Sequence, residues 1–176
     1  MRKALVTLGI VASLTTALSA SAEQRAGTVW PVEGVKAPTT ELAIEAFVAI
    51  SAPVAVGPSD GGRRQFIPIT GGHFVGQGIK GEVMAGGADW QLVRSDGTVE
   101  VNALYSIKTD DGAVIVVDNR GIIVPAGDGG IGYARTAPRF HAPEGKYDWL
   151  NKATFVGTIT PAPEGGAVII RVFKVL

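Results

Sequence analysis

Residues 98–124, TVEVNALYSIKTDDGAVIVVDNRGIIV, decide the fold class. Val99, Val101, Ala103, Tyr105 and Ile107 alternate with Glu100, Asn102, Leu104, Ser106 and Lys108, a period of two that places one set on the buried face of a strand. Asp110-Asp111-Gly112 follows, and Asp-Gly readily takes the positive φ angles of a hairpin turn. The spacing then predicts short strands over 113–117 and 122–124, separated by a turn at Asp118-Asn119-Arg120-Gly121.

The same pattern extends in both directions. Upstream, strands are expected over 42–50, 63–69, 78–84 and 90–94, the last closed by the turn Ser95-Asp96-Gly97. Downstream they are expected over 131–139, 154–160 and 167–176. No helical period persists, so no crossover helix is available and neighbouring strands must pair antiparallel. About ten such strands tend to curl and close, which removes their edges. The expected fold is all-β: a compact antiparallel β-barrel.

Ahead of the barrel the chain changes character. Arg2-Lys3, an apolar run from Ala4 to Val11 and the small residues Ala20-Ser21-Ala22 form a secretory signal peptide over 1–22, cleaved after Ala22. The apolar run is too short to span a bilayer, which takes roughly 20 residues. Residues 23–40 carry two prolines and no periodicity and read as a linker, leaving 41–176 as a single domain. The expected product is periplasmic or secreted, without a membrane anchor after cleavage.

Loss of 22 residues from 176 leaves 154, enough for one core, with 14 basic against 16 acidic side chains. That balance offers no cationic surplus for a nucleic-acid backbone. The absence of cysteine removes thiolate metal sites, redox pairs and cysteine nucleophiles. His73 and His141 form no ligand-spaced pair, and no run of carboxylates has calcium-loop spacing, so neither a metal nor another cofactor is expected. Gly76–Gly81 matches G-x-G-x-x-G and Gly57–Gly61 matches G-x-S-x-G, but both motifs need a following helix that this sequence lacks.

Chemistry is expected from polar residues set among apolar ones. Asp89 and Trp90 follow Gly86-Gly87-Ala88 at a strand start; Arg64, Tyr105, Tyr133 and Arg135 lie within strands. Tyr105 shares the inward face of its strand. An arginine inside a small barrel must meet a carboxylate or a ligand anion, so Asp89 is expected to contact Arg64 or Arg135 or to share a pocket with them, shielded by Trp90.

In order and spacing, GGRR (61–64), ITGGHFVGQGIKGEVMAGGADW (69–90), ALYSIKTDDGAVIVVDNRG (103–121), YARTAPRF (133–140) and YDWLNKATFVG (147–157) resemble domain-of-unknown-function family 3237, also filed as uncharacterised protein family UPF0311. The resemblance covers about 41–176 and implies a compact antiparallel barrel without a general reaction attached. It marks Arg64, Asp89, Trp90, Tyr105, Asp111, Asn119, Tyr133 and Arg135 as the polar residues of interest. The family usually carries a basic residue before the aromatic of the 98–108 strand; here Ala103-Leu104 precede Tyr105.

Three readings follow. In the first, the barrel mouth binds a small anionic or phenolic molecule through Arg64, Trp90, Asn119, Tyr133 and Arg135. In the second, the domain is a cofactor-independent isomerase, lyase or cyclase, with Asp89 or Asp111 as general base and Tyr105, Tyr133 or an arginine steadying an oxyanion. In the third, the barrel is filled and serves as a structural or partner-binding domain. A void of at least about 300 Å³ would favour the first two over the third. A carboxylate in it with a raised pKa would favour catalysis over binding.

Overall fold

The computed structural model describes Gly34 and residues 36–176. The expected signal peptide and most of the expected linker, Trp30 included, lie outside the described residues. Ten strands follow in chain order: β1 Thr40–Ile50, β2 Val54–Ser59, β3 Gly62–Gly76, β4 Ile79–Val83, β5 Ala88–Val93, β6 Val99–Thr109, β7 Val114–Pro125, β8 Ile131–His141, β9 Phe155–Pro161 and β10 Ala167–Val175.

Every pairing is antiparallel, and the sheet closes on itself because β1 pairs with both β10 and β3. β4 and β5 share one place in the wall. β4 bridges the end of β3 to the end of β6, and β5 bridges the start of β3 to the start of β6. The result is a closed eight-strand antiparallel barrel with two extra strands. Gly97 (φ +84°) and Gly112 (φ +91°) occupy the two Asp-Gly hairpin turns in the left-handed region that glycine adopts without strain.

Two departures from the sequence pattern matter for the interior. In β1 a register shift between Leu42 and Ile44 turns Ala43 inward and leaves Leu42 exposed, as an inserted bulge residue does. The turn expected at 118–121 does not form. β7 runs unbroken, because β6 pairs with it from Val99↔Ile123 to Lys108↔Val114 while β8 pairs with its other edge. Two complete ladders outweigh the local turn preference of Asp-Asn-Arg-Gly. Gly121 serves packing here: a Cβ on it would lie 2.2 Å from the Arg135 carbonyl oxygen. β2 is a further strand that runs through the Gly57-Pro58-Ser59 segment, with a register shift against β3 between Ala55 and Gly57.

The two ends of the barrel differ. At one end the 3-10 helix Asp148–Lys152 and the residues before it form a plug, with Tyr147 and Leu150 buried in the core beside Phe155 and Phe140. Asp111 in the β6–β7 turn fastens that plug: Lys146 Nζ donates to it at 2.8 Å and the Tyr147 hydroxyl at 2.9 Å, while Thr109 Oγ1 lies at 2.5 Å. These partners, Lys146 foremost, hold the Asp111 carboxyl well below the usual carboxylate range. The other end is not plugged in this way, and the candidate site lies there.

Candidate functional site

A cavity of about 210 Å³ occupies the unplugged half of the barrel. Its wall is almost wholly aliphatic, with Val48 and Ile50 from β1, Ile67 and Ile69 from β3, Ile123 from β7 and Val168 and Ile170 from β10. Four polar side chains interrupt it: Asp89, Gln91, Tyr105 and Asn119. The volume is smaller than the void sought from sequence, so a ligand there must be compact.

Strand register explains how these residues meet. Asp89 pairs with Ala103, and Ala103 pairs with Asn119, so the three form one rung across β5, β6 and β7. With strands roughly 4.8 Å apart, the Asp89 and Asn119 backbones stand about 10 Å from each other. Only the Ala103 methyl lies between them on the inner face. Tyr105 is two residues further along β6, on the same face and deeper. Tyr105 and Asn119 also border a void of about 10 Å³ below, so together they make the cavity floor. A Cβ at Gly87 would lie 2.4 Å from the Tyr105 Cβ; glycine there lets the tyrosine backbone sit against the neighbouring strand.

The Asp89 carboxylate is held from both sides. Gln91 Nε2 donates to Oδ2 at 2.6 Å, and the Asn102 backbone N–H donates to Oδ1 at 2.9 Å. Gln65 Nε2 in turn donates to Gln91 Oε1 at 2.7 Å, which fixes the glutamine's orientation. Burial pushes the Asp89 pKa up, and the two hydrogen bonds offset only part of that rise. Burial also pushes the Tyr105 hydroxyl up, beyond the ordinary phenol range, so it stays protonated. The Tyr105 hydroxyl has no hydrogen-bond partner among the described residues. Asn119 is 3% exposed, and its Oδ1 is buried without a partner.

The other expected site residues lie elsewhere. Arg64, Trp90, Tyr133 and Arg135 point outward from the wall. In β3 the inward residues are Gln65, Ile67 and Ile69, which sends Arg64 out. In β8 they are Ala134, Thr136, Pro138 and Phe140, so Tyr133 and Arg135 share the outer face, the guanidinium 5.2 Å from the tyrosine ring centroid. Trp90 packs against Phe66 outside, the rings tilted by 33° with centroids 4.8 Å apart, and shields nothing within. The expected contact between Asp89 and an arginine is therefore not made. Water solvates both arginines outside, whereas a buried guanidinium would need a paired anion. No arginine, lysine or histidine lines the cavity. Asp111 sits at the plugged end, remote from Asp89. Gln91 and Ala103 were not singled out from sequence; Gln91 was legible in principle, because period two puts it on the Asp89 face of ADWQLV.

Comparison with known proteins matches this architecture. A UPF0311 protein of Clostridium acetobutylicum is 34% identical over 157 residues, covering 82% of this chain and 98% of that protein. The crystal structure of a protein of unknown function from Rhodopseudomonas palustris superposes with a TM-score of 0.75 at 34% identity, covering 81% of this chain and all of that one. More distantly, a protein of Penicillium herquei named hydroalkoxylation enzyme phnH is 34% identical over 90 residues, 51% of this chain and 53% of that protein. The crystal structure of an enzyme from the same fungus has a TM-score of 0.65 at 26% identity, covering 81% of this chain and 97% of that one. Residues 38–175 match the family described as Protein of unknown function (DUF3237), and the chain belongs to that family.

Proposed function

We propose that the barrel is an acid–base catalyst of the lyase or cyclase type, with Asp89 as the group that gives and takes the proton. The observation that carries this reading is the Asp89 carboxyl itself: it faces an aliphatic cavity, two donors orient it, and burial raises its pKa toward the range where a carboxyl can act as either acid or base. The hydroalkoxylation named for the fungal relative supplies a reaction that fits such a group. In it an O–H adds across a C=C. Protonated Asp89 would deliver its proton to one alkene carbon, and the substrate hydroxyl oxygen would close on the adjacent carbon. The hydroxyl proton would then return to the carboxylate, so nothing is oxidised or reduced. An aliphatic wall suits the cationic carbon that forms, because it keeps competing water away.

The test is turnover of ortho-methallylphenol, whose protonation gives a tertiary cation beside the phenol oxygen, by the wild type and Asp89→Asn. Loss of about a hundredfold or more in rate is expected, the usual contribution of a positioned acid–base group. Equal rates would remove Asp89 from the chemistry.

A carrier without turnover is the second reading. Asp89 already accepts a hydrogen bond at each oxygen, which also suits a fixed acceptor for a ligand hydroxyl. Binding without ring closure would favour it. The proposed setting for either activity is outside the cytoplasm, on the strength of Arg2-Lys3, the apolar run and Ala20-Ser21-Ala22.

A further inference from the structure

We infer that the cavity selects an uncharged, single-ring molecule carrying a hydroxyl group, and that Asn119 is the residue that reads that hydroxyl. The inference rests on the cavity being the working site proposed above. It starts from the Asn119 amide, which lines the cavity and whose Oδ1 no protein donor reaches. Buried polar groups are nearly always satisfied, and an amide that lines a cavity is completed by what enters it. Tyr105 beside it is held protonated and adds a donor at the same floor. A donor and an acceptor side by side match the two capacities of one hydroxyl.

Charge narrows the choice. With no cationic side chain in the lining, a ligand carboxylate would lose its hydration and find no cation to offset its charge. A ligand ammonium would require an ionised Asp89, the form that burial disfavours. Size narrows it further. A cavity of roughly 150 Å³ holds benzene, so about 210 Å³ admits one ring with a short branch.

Four molecules with the same ring and branch separate these cases: ortho-methallylphenol, methallylbenzene, ortho-methallylbenzoate and ortho-methallylbenzylamine. Calorimetry with the wild type should show the phenol binding most tightly. The hydrocarbon should bind about tenfold more weakly, as loss of one hydrogen-bonded group implies, and the two ions should bind more weakly still. Asn119→Leu should weaken the phenol about tenfold and leave the hydrocarbon unchanged. If that variant does not fold, Asn119→Ser, which keeps a polar side chain but is too short to reach the same hydroxyl, should show the same selective loss. Failure of the phenol to bind, an ion binding as tightly as the phenol, or a hydrocarbon equal to it overturns the inference. Phenol selectivity without ring closure overturns the catalytic reading and leaves this one standing; ring closure without hydroxyl selectivity does the reverse.

Discussion

Asp89 and Asn119 face one cavity from the same rung of the barrel wall, separated on the inner face only by the methyl of Ala103. The open space between the amide and the carboxyl is therefore set by the smallness of residue 103.

Ala103→Leu should close that gap. Its side chain would extend into the existing void, so the cost of overpacking, typically about 1–3 kcal/mol in a filled core, should stay below about 1 kcal/mol here. Ligand binding should fall more than tenfold. A variant that folds and binds ortho-methallylphenol as the wild type does would show that the ligand lies elsewhere.

Gly87→Ala should behave in the opposite way. Its Cβ would lie 2.4 Å from the Tyr105 Cβ and 2.7 Å from the Leu104 carbonyl oxygen, both on β6. Relief requires β5 to move off β6, so stability should drop by about 1–3 kcal/mol. Chemical denaturation measures this, and an unchanged midpoint would mean that the two strands do not approach so closely.

Asp89 and Asp111 should give stability profiles of opposite sign. The folded pKa of Asp89 is raised above 3.8, so its contribution is fully present below that pH and is lost as pH rises through the folded value. The stability of the wild type relative to Asp89→Asn should therefore increase on acidification. A flat or falling difference would contradict burial of that carboxyl.

For Asp111 the folded pKa lies below 3.8, so its contribution is present above that pH and is lost as pH falls through the depressed value. Asp111→Asn should melt at a lower temperature than the wild type at neutral pH, and the difference should shrink in strong acid. A difference that stays constant across that range would mean that Lys146 and Tyr147 do not bind the ionised carboxyl.

The barrel was legible in the sequence because period two and Asp-Gly turns recur along it, and β6 appears where Val99, Val101, Ala103, Tyr105 and Ile107 placed it. The interior was legible only in part. Tyr105 sits on an unmistakable apolar face. Arg64 and Arg135 instead sit beside residues of mixed character, where periodicity gives two faces without saying which is inner; on β8 Thr136 marks the inner one, because Gly121 and Gly157 press against it. Asn119 was placed in a turn because Asp-Asn-Arg-Gly has turn chemistry, and only the ladders on both sides of β7 turn it inward. Register between strands, which decides that Asp89, Ala103 and Asn119 share a rung, is a long-range property that no local pattern carries.

The central claim is that Asp89 is a carboxyl whose proton affinity burial has raised for acid–base work. Carbon-13 NMR titration of its carboxyl carbon, identified by its disappearance in Asp89→Asn, measures that affinity directly. The expected midpoint lies above the ordinary value of 3.8. A midpoint at or below 3.8 would show that the bonds from Gln91 and Asn102 outweigh burial, and would contradict the account.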